Sequence, residues 1–336
     1  MHIGIKKMKK TICILSFMFI LIYLKNCDII SQNEKEDRSF GIYFLNDTSL
    51  TEQDIRDMNI DSLVLSLEPW LTHNDIDYYD FSTHCIYLKK DKSYFFKNYS
   101  GKHYMFSPTL MSRPFVVISE TERCYVGALH SGLLSTAPVR PYIDESDVGF
   151  FPNDVIHISR AWSDDEDIRS NPEIMESLID QDIFHAGLEI ELISFKVLVN
   201  SDTSTVEYSI EIKNNDQDNI YVIDPEKMGS KLFHYYTNGP HLRDYSEPLY
   251  LYSQYKEVDT PEPYDSWNIE WFTLIESNQS IQRTIVLKGY PYIPSGNYTG
   301  YMNFSSPTRI DKEDRYTSNG RIWIGSIKSN EIEIQN

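Results

Sequence analysis

From Leu188 to Gln335 the sequence repeats one device: a short run of β-branched and aromatic residues, then a cluster of turn formers. Strand-like runs fall at 188–199, 206–213, 220–223, 231–236, 249–252, 269–274, 281–287, 296–304, 320–327 and 331–334. Asn, Asp, Ser, Gly and Pro separate them at 200–203, 214–218, 238–240 and 294–296. No run carries a convincing helical period. Strands this short have one face to bury and edges to pair, and stacked sheets answer both needs, so this half reads as an all-β sandwich. Alternation falters between Glu191 and Val197, predicting a bulge near Ile193. The richness in tyrosine, 24 against 14 glycines, also favours strands.

The first half mixes its signals. Strands are predicted at 40–45, 62–67, 83–89, 113–118, 123–129 and 155–159, with the turn at 119–122 making a hairpin of two of them. Ser49 and Glu52 have capping-box spacing and predict a short helix to about Met58. Thr72 and Asp75 predict another at 73–79. Asn171 and Pro172 predict a capped helix running to about Phe184, ended by Gly187 at C′. Residues 39–187 therefore read as an α+β domain, and 188–336 as the sandwich domain.

Ahead of both lies an export segment, 1–27. Lys6, Lys7, Lys9 and Lys10 form a basic head, and an apolar run of about 13 residues follows to Leu24, shorter than the roughly 20 needed to span a bilayer. Residues 28–38 read as a disordered polar tether. Net charge is −19. Loss of Lys6, Lys7, Lys9, Lys10 and Lys25 with the segment would take it to about −24, a surface that repels nucleic acid.

Three resemblances follow from these residues. Leu24 and Cys27, after the basic head and apolar run, resemble a bacterial lipoprotein signal, with Lys25 and Asn26 standing where that family usually has small residues. That resemblance implies lipidation of Cys27 and a cell-envelope protein tethered to a membrane. Tyr208-Ser-Ile-Glu-Ile-Lys-Asn214, Pro294-Ser-Gly-Asn-Tyr298 and Gly320-Arg-Ile-Trp-Ile-Gly325, with Ile332 and Ile334, resemble the Ig-like sandwich domains of bacterial surface proteins. More faintly, Leu71-Thr-His-Asn-Asp-Ile76, Cys85-Ile-Tyr-Leu88 and Phe115-Val-Val-Ile118, with Tyr125 and Pro138, resemble the periplasmic head domain of the SecD export component. This implies a ferredoxin-like α+β module and carries no export activity with it.

Candidate chemistry is sparse. Cys85 and Cys124 are an even pair in an oxidising compartment, a disulfide if their strands are neighbours and otherwise two buried thiols. Cys124 and His130, six apart on one strand, stand about 20 Å from each other, too far for an imidazole to activate the thiol. The histidines and cysteines show no metal-ligand spacing, so neither metal nor cofactor is assigned. The acidic run from Asp164 to Asp167 lacks the glycine-centred calcium-loop pattern and reads as a solvated loop. The region 233–272 is dense in aromatics. Tyr250, Tyr252, Trp267 and Trp271 are the candidate binding surface there, for a glycan, peptide or protein partner.

The sequence thus points to a non-enzymatic, lipid-anchored envelope protein that binds such a partner and no nucleic acid. Its rivals are a secreted hydrolase with a site between the two halves, and a sandwich-type protease inhibitor presenting the loop 253–268.

Overall fold

Twenty strands, paired into five sheets, dominate a computed structural model that describes residues 40–97, 99, 105–134, 137–161, 167–243, 255–264 and 266–336. Cys27, Tyr250 and Tyr252 lie outside the described residues. Among those described, no helix is long and apolar enough to cross a membrane.

The first sheet orders β2 (Leu71–Thr72), β1 (Phe40–Phe44), β5 (Pro114–Ser119), β6 (Glu122–His130) and β7 (Tyr142–Asp144). Its hairpin pairs Ser119 with Glu122, as the sequence predicts. The second sheet orders β8 (Val155–His157), β4 (Cys85–Leu88), β3 (Ile76–Asp80) and β9 (Phe184–His185). Beyond Gly187, β10 (Leu188–Val199), β11 (Thr203–Asn214) and β15 (Ser280–Pro291) form a three-stranded antiparallel sheet. A fourth sheet orders β14 (Phe272–Ile275), β12 (Ile220–Ile223), β18 (Gly320–Ile322) and β17 (Tyr316–Thr317). The fifth sets β13 (Pro240–Arg243), β16 (Asn297–Ser305) and β19 (Ser326–Lys328) side by side, with β20 (Ile332–Gln335) also on β16.

On β10, Leu188, Ile190 and Leu192 are buried while Glu189 and Glu191 face water. The register then slips between Leu192 and Ser194, and the predicted bulge restores Phe195 to the core. The second sheet behaves differently because both of its faces are covered. Tyr78, Cys85, Tyr87 and Val155 join a core made mostly of second-half residues, while Ile76, Tyr79, Ile86 and Leu88 join the first half's core. That double burial explains the unbroken apolar run of β4.

Four local expectations are corrected. Residues 52–57 form turns rather than a helix, because Asp54 accepts from both the backbone and hydroxyl of Thr51. The expected strand at 62–67 makes only an isolated bridge, Leu45 to Leu65. The segment covers the outer face of the first sheet, tied by Arg123 to the carbonyls of Ile60 and Leu63. Thr72 and Asp75 cap a single 3-10 turn, after which the chain enters β3. The helix Pro172–Asp180 stops early in a Schellman arrangement: Ile183 N–H bonds to Leu178, Asp182 N–H bonds to Ile179, and Asp182 takes φ 57. The largest change in the second half is at 231–236, read as a strand and found as the helix Ser230–Thr237.

Candidate functional site

The junction between the two halves is built around a buried cation. Arg321 on β18 is buried, and its Nη2 lies 3.0 Å from Asp80 Oδ2 at the end of β3 and 2.7 Å from Asp216 Oδ2 after β11. His185 Nδ1 sits 2.9 Å from the other oxygen of Asp216. Tyr78 and Tyr87 stack at 3.9 Å, with Arg321 over the first ring at 5.0 Å and Arg315 over the second at 4.7 Å. Arg315 in turn pairs with Asp154. Burial alone would raise the Asp216 carboxyl, but the His185 hydrogen bond and the Arg321 charge hold it well below the usual carboxylate range. Gly187, at φ 72, lets the chain pass: a Cβ there would meet Asp80 Oδ1 at 2.4 Å.

His185, Asp216 and Asp218 bring donor atoms within 4.8 Å of one another. The Asp216 oxygens, however, already accept from His185, Arg321 and the Gly187 and Asp218 backbones, and a guanidinium beside the cluster opposes a cation. This arrangement joins strands; it offers no free nucleophile or metal seat.

The second gathering of side chains is an aromatic groove. One pocket, of about 350 Å³, is lined by Tyr235, Tyr236, Asn238, Tyr264, Ser306, Pro307 and Thr308. Its neighbour, of about 370 Å³, is lined by Tyr99, Phe151, Pro152, Asn153, Ser266, Trp267 and Asp311. Phe150 and Arg309 line both and form the ridge between them. Arg309 lies 4.9 Å from the Phe150 ring centre and 5.7 Å from that of Tyr264, with Nη1 3.3 Å from Tyr264 Oη.

Three elements build this groove. The helix Ser230–Thr237 buries Phe233, His234 and Thr237, which leaves Tyr235 and Tyr236 on its other side. The stretches 255–264 and 266–268 are strapped to that helix: Tyr235 Oη donates to the Tyr264 carbonyl at 2.9 Å, Tyr236 Oη donates to the Ser266 carbonyl at 2.5 Å, and Lys231 pairs with Glu257 at 2.8 Å. Phe150 ends a short helix, Glu145–Phe150. Buried Lys92 pins the turn behind it, donating to the carbonyls of Val148 at 2.6 Å and Phe151 at 3.0 Å. Burial lowers the Lys92 pKa to about 7.

Trp267, singled out from sequence, lines the groove. Trp271 instead packs on the core beside Tyr236, ring centres 6.1 Å apart. Phe150, Tyr99 and Arg309 were not found from sequence, since they come from segments far from 233–272. The disulfide considered for Cys85 and Cys124 is not formed. Both are free thiols, one in the second sheet and one in the first. Burial lifts the Cys124 pKa to about 11, away from a reactive thiolate. Asp167, the described end of the acidic run, is engaged by the Arg169 guanidinium at 2.6 Å.

No family model matches this chain, and no curated protein matches it significantly.

Proposed function

We propose that this chain is an exported, lipid-anchored envelope protein whose aromatic groove binds a glycan, without catalysing a reaction on it. Export and lipidation rest on the basic head, the apolar run and Cys27. The reading of 188–336 as an Ig-like sandwich belongs to this proposal and is supported by the antiparallel β10–β11–β15 sheet. The observation that carries glycan binding is the pair of adjoining pockets walled by Tyr235, Tyr264, Phe150 and Trp267. Aromatic faces present apolar area with little conformational freedom to lose, and the rim supplies Asn238, Ser306, Thr308 and Asn153 for hydroxyl recognition. Screening the purified protein on an oligosaccharide array, beside Phe150→Ala and Tyr264→Ala variants, tests the reading. Binding lost in both variants supports it; a wild type that retains no sugar, or variants that retain all of it, sinks it.

A hydrolase remains the second reading because a cleft of about 770 Å³ opens beside the junction, lined by residues of both halves including Asp167, Glu189 and Glu191. There Asp167 faces Arg169, and Glu189 lies 3.6 Å from Lys213. Turnover of a glycosidic substrate by the wild type, abolished by Glu191→Gln, would favour it. Tethering of Tyr264 and Ser266 to a helix counts against an inhibitor that presents the loop 253–268 freely.

A further inference from the structure

We infer that Lys92 is a proton latch beneath the aromatic groove: as a neutral amine it fastens 148–153 in place, and on taking a proton it favours release of that segment into water, which opens the Trp267 pocket. The inference rests on the groove being the binding site and adds a control on its shape. Residues 149–153 are a continuous wall of the Trp267 pocket. Lys92, at the start of the short helix Lys92–Phe95, is wholly buried and holds both ends of this stretch. Its Nζ donates to the Val148 carbonyl at 2.6 Å and to the Phe151 carbonyl at 3.0 Å. Its backbone N–H donates to the Asn153 carbonyl at 2.7 Å.

The surroundings do not neutralise an ammonium. Its hydrogen-bond partners are carbonyls, and no carboxylate among the described residues forms an ion pair with it. Asp154 and Asp147 are near enough to favour the charge, but each is engaged: Asp154 by Arg315, and Asp147, on the helix Glu145–Phe150, by His157 at 2.7 Å. Burial keeps Cys85, on β4, a thiol. The Tyr99 ring, with its centre 5.5 Å from Nζ, supplies a weak offset. Lys90, Asp91 and Ser93, the nearest residues along the chain, face solvent. The charged form therefore bears a desolvation cost, whereas a neutral amine keeps both carbonyl bonds without it. Release of 148–153 hydrates the ammonium and removes that cost, so opening takes up a proton and lower pH favours it. The window runs from the ordinary 10.5 of the open form down to about 7 in the closed one, below which both forms hold the proton.

The test uses the full chain in detergent between pH 7.5 and 9.5, above the ordinary range of histidine. Hydrogen exchange read by mass spectrometry follows peptides across 147–153, where the Phe151 N–H bonds to the Asp147 carbonyl at 2.9 Å. After correction for intrinsic exchange, protection there is expected to rise by up to about tenfold per pH unit in the wild type and to stay flat in Lys92→Met. These amides are also expected to exchange faster than those of β10 and β11 at every pH, because the opening is local. With 5-fluorotryptophan in the chain, the Trp267 resonance, assigned through Trp267→Phe, is expected to move between pH 9.5 and 7.5 in the wild type alone. Sugars retained on the oligosaccharide array are expected to bind about threefold or more weakly at pH 7.5 than at 9.5. A flat wild-type exchange profile overturns the latch by itself, whether or not Lys92→Met folds. Exchange at the same rate as β10 and β11 overturns it too, since the proton would then report global unfolding. An unmoved Trp267 resonance shows an opening too rare to gate the pocket and overturns the control. No sugar bound at either pH, with the exchange slope and the Trp267 shift both present, sinks the glycan reading and leaves the latch standing.

Discussion

Lys92 illustrates how a single residue can shape a surface it does not reach. Its ammonium is removed from water to hold two carbonyls of the turn that carries Phe150. Desolvation disfavours its charged form, opposed by Asp154, Asp147 and Cys85, and the folded pKa falls to about 7 from the ordinary 10.5. Between those values the unfolded chain binds more protons than the folded one, so this group's contribution to stability rises with pH across that window. The contribution is complete above 10.5 and is lost as pH falls through about 7. The urea midpoint of wild type minus that of Lys92→Met is expected to increase from about pH 7 to 9.5, because only the wild type carries this slope. Parallel profiles would show that Lys92 titrates normally. The thiols give a simpler expectation at the same scale. Maleimide should label Cys124 slowly and Cys85 only after unfolding, since Cys85 is wholly buried. Failure of both to label in unfolded, unreduced protein would mean a bridge.

At the scale of elements, what was legible and what was not divide along physical lines. The β10–β11 pair was readable, bulge included, because one face is buried and one is wet, and the pattern of Leu188, Ile190 and Leu192 against Glu189 and Glu191 records this directly. The hairpin of β5 and β6 was readable for the same reason plus its turn. The helix Ser230–Thr237 was misread because Phe233, Tyr235 and Tyr236 have strand propensity, and tertiary burial of Phe233 and His234 overrode it. Its punctuation was nevertheless present: Gly229 before it and Asn238-Gly239 after it, all at positive φ. The end of the helix Pro172–Asp180 was missed because Asp182, not a glycine, takes the left-handed position. The groove itself was half legible. Tyr264 and Trp267 sit in the aromatic-rich segment, but Phe150 and Arg309 arrive from elsewhere in the chain with no local signal. Gly239 tests the reading of the helix end. At φ 61, a Cβ there would stand 2.1 Å from the buried His234 ring. Gly239→Ala is therefore expected to cost about 2 kcal/mol or more in chemical denaturation and to displace Asn238 from the Tyr264 pocket. A variant as stable as wild type would show that the helix end relaxes freely.

For the molecule as a whole, the second sheet decides how the two halves relate. Composition divides the chain near Gly187, yet Tyr78, Cys85 and Tyr87 share a core with Trp323, Ile220 and Leu188. A sheet covered on both faces cannot lose either cover without exposing one. Arg321 ties the same place electrostatically, with Asp80 and Asp216 both fully buried around it. Such a cluster adds little net stability over apolar packing, but removing its cation strands two carboxylates in a dry interior. Arg321→Met is thus expected to destabilise by about 3–5 kcal/mol, with a fall in pH relieving part of the loss as Asp216, no longer held low by the Arg321 charge, protonates. The two halves should also melt in one calorimetric transition, because neither core is complete alone. Residues 40–187 produced separately would leave the Tyr78–Tyr87 face uncovered and are expected to bind a hydrophobic dye or aggregate. Two resolved transitions in the full chain, or a well-folded 40–187 fragment, would show that the junction is a contact between independent units. Each groove pocket also draws its lining from both sides of Gly187, through Phe150 with Tyr235 or with Trp267. Loosening the junction should therefore weaken ligand binding along with stability, and a folded Arg321→Met protein with wild-type affinity would separate the two.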